Sequence, residues 1–249
     1  MALIMPKEPA PESFQGYPAV SAARMKRLDE LAQERFDLST LKLMENAGQA
    51  VAAESAAYAE RVLRAPVSGL AVVVCCGRGA NGGDGLVAAR VLRERGATVR
   101  AFLCPAKRNA DGSAAPYPDY FKTNLDKARA AGVEIFEAGP EADLAAKLAS
   151  AALVIDALLG TGSSGKPAGA VHHMIQEITR SRKPVIAVDI PSGIHPDTGY
   201  HSGVFITAAL TLTLGLPKTG LLAPHAKRYV GELKVLDIGY PAELLKAAS

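Results

Sequence analysis

The chain has 249 residues, 49% apolar and 21% charged, enough for one α/β domain with a sizeable core. A net charge of +3, no basic run with interleaved aromatics and no Trp argue against a nucleic-acid partner, and no stretch of about 18 apolar residues offers a membrane span. Three cysteines, Cys75, Cys76 and Cys104, two of them adjacent, suit neither a disulfide framework nor a CxxC metal site and point to a reduced, cytoplasmic protein.

Residues 1–18 are Pro-rich, lack a charged-then-apolar leader pattern and read as a flexible arm; residues 19–249 read as a single domain. Ser21 is placed to cap a helix in which Met25, Leu28, Leu31 and Ala32 share one face. A second helix is expected over 39–62 with Leu41, Met44, Val51 and Ala52 inward, and Gly48 within it suits close packing. Short apolar runs then alternate with helical segments. Strands are expected at 70–76, 98–104, 133–137, 152–157 and 184–189, with helices at 83–95, 118–131, 140–150 and 168–181. Runs at 210–215 and 233–238 follow without a full intervening helix and read as added edge strands. This alternation predicts an α/β fold with a mostly parallel sheet covered on both faces.

In such a sheet ligands bind beyond the carboxyl ends of the strands, and three unusual loops follow strands there: 77–85 (GRGANGGDG), 156–166 (DALLGTGSSGK) and 189–199 (DIPSGIHPDTG). The first has dinucleotide-fingerprint spacing at Gly77, Gly79 and Gly82. Yet Asp84 places a carboxylate where a phosphate would sit, and the next strand ends in FLCP without an acid for a ribose hydroxyl. Lys107 and Arg108 beyond it suit a 2′-phosphate or simply a loop. The second loop matches Walker A spacing from Gly160 to Lys166, but Pro167 replaces the hydroxyl needed for Mg²⁺; its backbone N–H groups and Lys166 can still meet phosphate oxygens. In the third, Asp189 and Ser192 suit either a site or a shaped turn. Asn81, Asp156 and Ser192 together offer an amide oxygen, a carboxylate and a hydroxyl, donors for a hard cation, monovalent or Mg²⁺.

Five segments occur in order: LMENAGQAVA (43–52), GRGANGGDGLVAARVL (77–92), IDALLGTGSSGKPAG (155–169), AVDIPSGIHPDTG (187–199) and TLTLGLPKTGLL (211–222). They resemble the YjeF N-terminal domain family, whose characterised enzymes are NAD(P)H-hydrate epimerases. The resemblance implies a Rossmann-like three-layer α/β/α sandwich with an N-terminal helical segment, a homodimer, and a potassium ion held by Asn81, Asp156 and Ser192. It implies as substrate hydrated NADH or NADPH, hydroxylated at C6 of the nicotinamide ring, whose R and S forms are interconverted for repair by a dehydratase. Substrate contacts are implied at Ala80, Asn81, Gly82, Gly83 and Asp84, at Gly160, Thr161, Gly162, Ser163, Ser164, Gly165 and Lys166, and at Asp189. Within that reading Asp189 is the expected acid–base and Asp84 its electrostatic or positioning partner.

The sequence departs from the family at Ala80, where an Asn is usual, and at His195, often acidic there. His195 reads most simply as a surface-loop histidine, and His172 and His173 as surface residues of a helix. The kinase-like dehydratase domain that often follows this module is not in the chain, which predicts either a separate ADP/ATP-dependent dehydratase as partner or a longer parent protein. The rival reading is a non-catalytic ligand- or protein-binding scaffold of the same fold; retention of Asn81, Asp84, Asp156, Asp189 and Ser192 favours the enzyme.

Overall fold

The computed structural model describes residues 9–106, 111, 114–139, 142–163 and 165–246. Lys107, Arg108 and Ser164 lie outside them. Within the segment read as an arm, β1 (Ser13–Phe14) pairs with β2 (Tyr17–Pro18) as a short antiparallel ladder. Helix α1 (Ala22–Phe36) starts as expected, with Ser21 Oγ accepting from the Arg24 N–H, and buries Met25, Leu28 and Ala32. Helix α2 (Thr40–Tyr58) is capped by Ser39 and runs into a wider π-turn at Ala59–Leu63.

Leu41 does not point inward. It is 38% exposed, because Leu43 and Met44 fill the buried positions of that first turn. Gly48 does serve close packing: a Cβ there would lie 2.3 Å from Val87 Cβ on the helix opposite.

The expected strands form one sheet: β3 (Ala71–Cys76), β4 (Thr98–Leu103), β5 (Glu134–Glu137), β6 (Leu153–Ala157), β7 (Val185–Val188), β8 (Leu210–Leu214) and β9 (Glu232–Leu236). Their order is β5-β4-β3-β6-β7-β8-β9, and every pairing is parallel. The late strands β8 and β9 do extend one edge. They are parallel despite lacking a full crossover helix, because a 3₁₀ turn at Thr219–Leu222 and the one-turn α7 (Lys227–Val230) reverse the chain between them.

Alternate residues of each strand feed opposite layers. Val72, Val74 and Cys76 of β3 pack under α1, α2, α3 (Ala80–Glu94) and α4 (Asp119–Ala130). Val73 and Cys75 pack with α5 (Leu144–Ser150) and α6 (Gly169–Ser181) on the other face. Strands buried on both faces account for their unbroken apolar runs, and the result is a three-layer sandwich. The last element among the described residues is α8 (Ala242–Lys246).

One boundary shifts the reading of the site. Helix α3 begins at Ala80, three residues before the expected start, with Gly79 as its N-cap. Glycine's low helix propensity hides this start in the sequence. Asn81, Gly82, Gly83 and Asp84 therefore sit on the first turns of a helix, not in a loop.

Candidate active site

Strand order reverses between β3 and β6, and there, beyond the carboxyl ends of β3, β6 and β7, lies a cavity of about 1200 Å³, room for a dinucleotide-sized molecule. Its floor is held tightly. A Cβ on Gly82 would lie 1.9 Å from the Gly77 oxygen, and one on Gly77 would lie 1.9 Å from the Leu158 oxygen. The glycines of the first loop thus bring backbone against backbone. Gly83 is likewise packed, on Met44, so neither Gly82 nor Gly83, expected at the ligand, lines the cavity. Ala80, Asn81 and Asp84 do line it.

Asp84 is buried, and among the described residues nothing hydrogen-bonds its carboxyl group. Burial first, then the charges of Asp189 and Asp29, push it well above the ordinary carboxylate range, against the pull of Lys218. Asn81 is also buried, and among the described residues neither its amide oxygen nor its amide nitrogen has a partner. An orphaned amide is costly inside a protein and marks a place where a ligand or ion completes the bonding.

Asp156 lies on β6 itself, fully buried behind the cavity. Its Oδ1 accepts from Ser192 Oγ (2.7 Å) and Leu158 N (3.2 Å), and its Oδ2 accepts from Ser192 N (2.8 Å). Burial pushes it up to about 6 despite the side-chain and backbone hydrogen bonds of Ser192 and that of Leu158. Ser192 Oγ also accepts from Leu159 N (2.9 Å) and so ties two of the three loops together. Among the described residues no three His, Cys, Asp or Glu side chains gather as a transition-metal site. Asn81, Asp156 and Ser192 offer oxygen donors of the kind a hard cation takes; of these, the Asn81 amide oxygen is the one with no partner among the described residues.

Asp189 terminates β7 in a three-residue turn. Its φ is 68°, in the left-handed region that non-glycine residues rarely adopt, and Ile190 N donates to Val188 O across it (2.8 Å). The side chain is held from two sides. Thr161 N (2.8 Å) and Thr161 Oγ1 (2.6 Å) donate to Oδ2, and Lys218 Nζ donates to Oδ1 (2.5 Å). Burial pushes this carboxyl up, but the charge of Lys218 and the bonds from Lys218 and Thr161 outweigh it and hold Asp189 below its ordinary range.

Gly160, Thr161, Gly162, Ser163, Gly165 and Lys166 also line the cavity, so the second loop lies where expected. Three groups enter that the sequence did not single out: Lys218, and the pair Asp29 and Tyr240, in which the Tyr240 hydroxyl donates to Asp29 Oδ1. Burial pushes Asp29 up against that bond and the charge of Lys218. The one visible signal was for Lys218, a lone cation in the apolar run 210–222. His195 is exposed in its loop and His173 on its helix; His172 is half-buried, and none of the three lines the main cavity.

A profile of the family described as YjeF-related protein N-terminus matches residues 40–220, covering all three site loops. The chain belongs to this family. It is 38% identical over 231 residues to the bifunctional NAD(P)H-hydrate repair enzyme Nnr of Moorella thermoacetica, covering 91% of this chain and 41% of that protein. It is 35% identical over 230 residues to the NAD(P)H-hydrate epimerase of Elusimicrobium minutum, covering 91% and 97%. The chain thus spans about two fifths of the bifunctional relative and nearly all of the shorter one. The crystal structure of yeast ynu0 superposes with a TM-score of 0.75 at 23% identity, covering 93% of each chain, which shows the same fold. In this YjeF-related domain Ala80 sits exposed at the cavity rim, a methyl group beside the open N-cap of α3.

Proposed function

We propose that this YjeF-related domain is an NAD(P)H-hydrate epimerase, interconverting the R and S forms of hydrated NADH and NADPH. The observation that carries the reading is a pair of buried cavity carboxyls in opposite electrostatic settings: Asp84 is pushed up and bonded to none of the described residues, while Asp189 is held down by three hydrogen bonds. Carboxyls driven apart in this way divide acid–base work. Relatives named for this activity match over nearly their whole length.

C6 of the hydrate bears a hydroxyl and the ring nitrogen. If Asp84 gives its proton to that hydroxyl, the C6–O bond breaks as the nitrogen lone pair forms an iminium. Water adding to the other face returns the proton and inverts C6. A ring-opened path reverses that traffic: the C6 hydroxyl gives up its proton to become an aldehyde, the N–C6 bond breaks and the nitrogen takes up a proton. It needs a carboxylate at the C6 oxygen where the iminium path needs a protonated acid. In the iminium path the Asp189 carboxylate faces a developing cation with negative charge fixed in advance. The hydrogen bonding supports Asp84 as the proton carrier and Asp189 as the electrostatic partner, the reverse of the division expected from sequence. Asn81, Asp156 and Ser192 would hold a potassium ion, which when bound supplies positive charge for a substrate oxygen. Gly160–Lys166 would bind the cofactor's phosphates through backbone N–H groups and the Lys166 ammonium. The reading carries with it a homodimer and a dehydratase that consumes one epimer.

The test supplies an S-specific dehydratase with a mixture of R and S hydrates. With this protein added, the R form disappears at the pace of the S form; no acceleration, with or without potassium, overturns the proposal.

A further inference from the structure

We propose that Lys218 is a positioning residue for the reaction, holding the Asp189 carboxylate in one orientation with an ammonium group that has no proton left to transfer. The inference rests on the epimerase reading above and adds to it a residue with a defined task.

Lysine is almost never fully buried unless paired, yet Lys218 is 1% exposed. An ammonium has three protons and no acceptor. All three are committed: to Asp189 Oδ1 (2.5 Å), to Leu214 O (2.8 Å) and to Thr213 Oγ1 (3.2 Å). Thr213 Oγ1 in turn donates to Leu216 O (3.4 Å), which turns its lone pairs toward the lysine. The lysine backbone is clamped on either side. Val20 N donates to Pro217 O (2.9 Å) and Thr219 N donates to Val20 O (3.0 Å), a parallel bridge to the segment that leads into α1.

This arrangement excludes two other tasks for the amine. A lysine acting as nucleophile needs a free lone pair, and one acting as general acid needs a proton aimed at the substrate. Here every proton points into protein. What remains is the effect on Asp189. Among the described residues, the ionisable groups coupled to that carboxylate are Asp29 from α1, Asp84 from α3, Lys218 and Tyr240, and the lysine is the cation of the set. With Thr161 on Oδ2, Lys218 fixes the carboxylate plane and leaves one lone pair of Oδ1 free. A purely structural ion pair would do none of this for turnover, and the two roles separate in kinetics.

The experiment compares Lys218→Met, Lys218→Arg, Asp189→Asn and the double variant Asp189→Asn/Lys218→Met in the coupled assay. Lys218→Met is expected to lower kcat about 100-fold with KM within about three-fold of wild type. Lys218→Arg, which keeps the charge but cannot give up a proton, recovers to within about ten-fold of wild type. The double variant is expected to be no slower than Asp189→Asn alone and to melt higher than Lys218→Met, since it removes both buried charges together. Losses that multiply in the double variant, or KM rising in step with falling kcat, overturn the proposal, as does an arginine variant as slow as the methionine one. A readout independent of turnover keeps this distinct from the epimerase reading. In ¹⁵N-lysine-labelled wild type, Lys218 should give a slowly exchanging ammonium resonance that vanishes in Asp189→Asn; its absence in wild type contradicts the bonding on which the proposal stands.

Discussion

The two sides of the cavity are built on opposite terms. On the β7–β8 side, Asp189, Thr161 and Lys218 satisfy one another before any ligand arrives. On the α3 side, Asp84 and Asn81 are equally buried, but among the described residues no group hydrogen-bonds the Asp84 carboxyl or the Asn81 amide. The contrast teaches how one pocket supplies both preorganisation and reactivity. A carboxylate held by several donors keeps its charge and position through a reaction, whereas an unbonded one can take up and release a proton.

Breaking the α3 side should cost most. Asp84→Asn is expected to lower kcat/KM about 10³-fold, the usual scale for a lost acid–base group, with little change in melting temperature. If it leaves the rate within a few-fold of wild type, the contrast is mechanistically empty.

The next largest effect belongs to Asp156. Its rise from 3.8 to about 6 means the folded state holds a proton that the unfolded state has released, so stability is fully present below pH 3.8 and is lost as pH rises through about 6. That loss is about 3 kcal/mol and should be seen as a falling melting temperature between pH 4 and about 6 in tetramethylammonium buffer. Potassium should restore stability at pH 7, and the gain should vanish in Asp156→Asn. Identical melting curves in the two buffers would argue against a cation at this carboxylate.

Thr161→Val tests the bonded side more gently. It removes one of three donors to Asp189, at a cost of about 1.5 kcal/mol, the low end for a hydrogen bond to a charged group, seen as about a ten-fold fall in kcat/KM. The smallest effect on stability is expected for Asn81→Ala. Without a cation this change deletes two unpaired groups, so the melting temperature should hold or rise, while stimulation by potassium is lost. A marked loss of cation-free stability would mean that Asn81 is bonded after all.

Much of this fold was legible in the sequence because buried strands announce themselves. The runs at 70–76, 98–104, 152–157 and 184–189 match β3, β4, β6 and β7 to within a residue or two at each end. Glycine misled the reading at α3, whose first turns contain Gly82, Gly83 and Gly85; packing against Gly77, Met44 and Ala157 overrides their poor propensity. Leu41 obeyed the helical period but fell where the first turn had two other residues to bury. At the site, Asp84, Asn81, Asp156 and Asp189 were visible because they sit in motifs at strand ends. The partners that set their charge were not. Lys218 is 29 residues from Asp189, and Asp29 is 211 residues from Tyr240; only the order of strands in the sheet and the docking of α1 bring them together.

The most direct measurement of the central claim is proton NMR of a purified R hydrate in potassium buffer, following the appearance of S-form signals without any coupling enzyme. Wild type is predicted to bring the two forms to equilibrium within minutes at micromolar enzyme, with Asp84→Asn about 10³-fold slower. Signals that grow at the buffer rate with wild type, or equally fast with Asp84→Asn, would contradict the account.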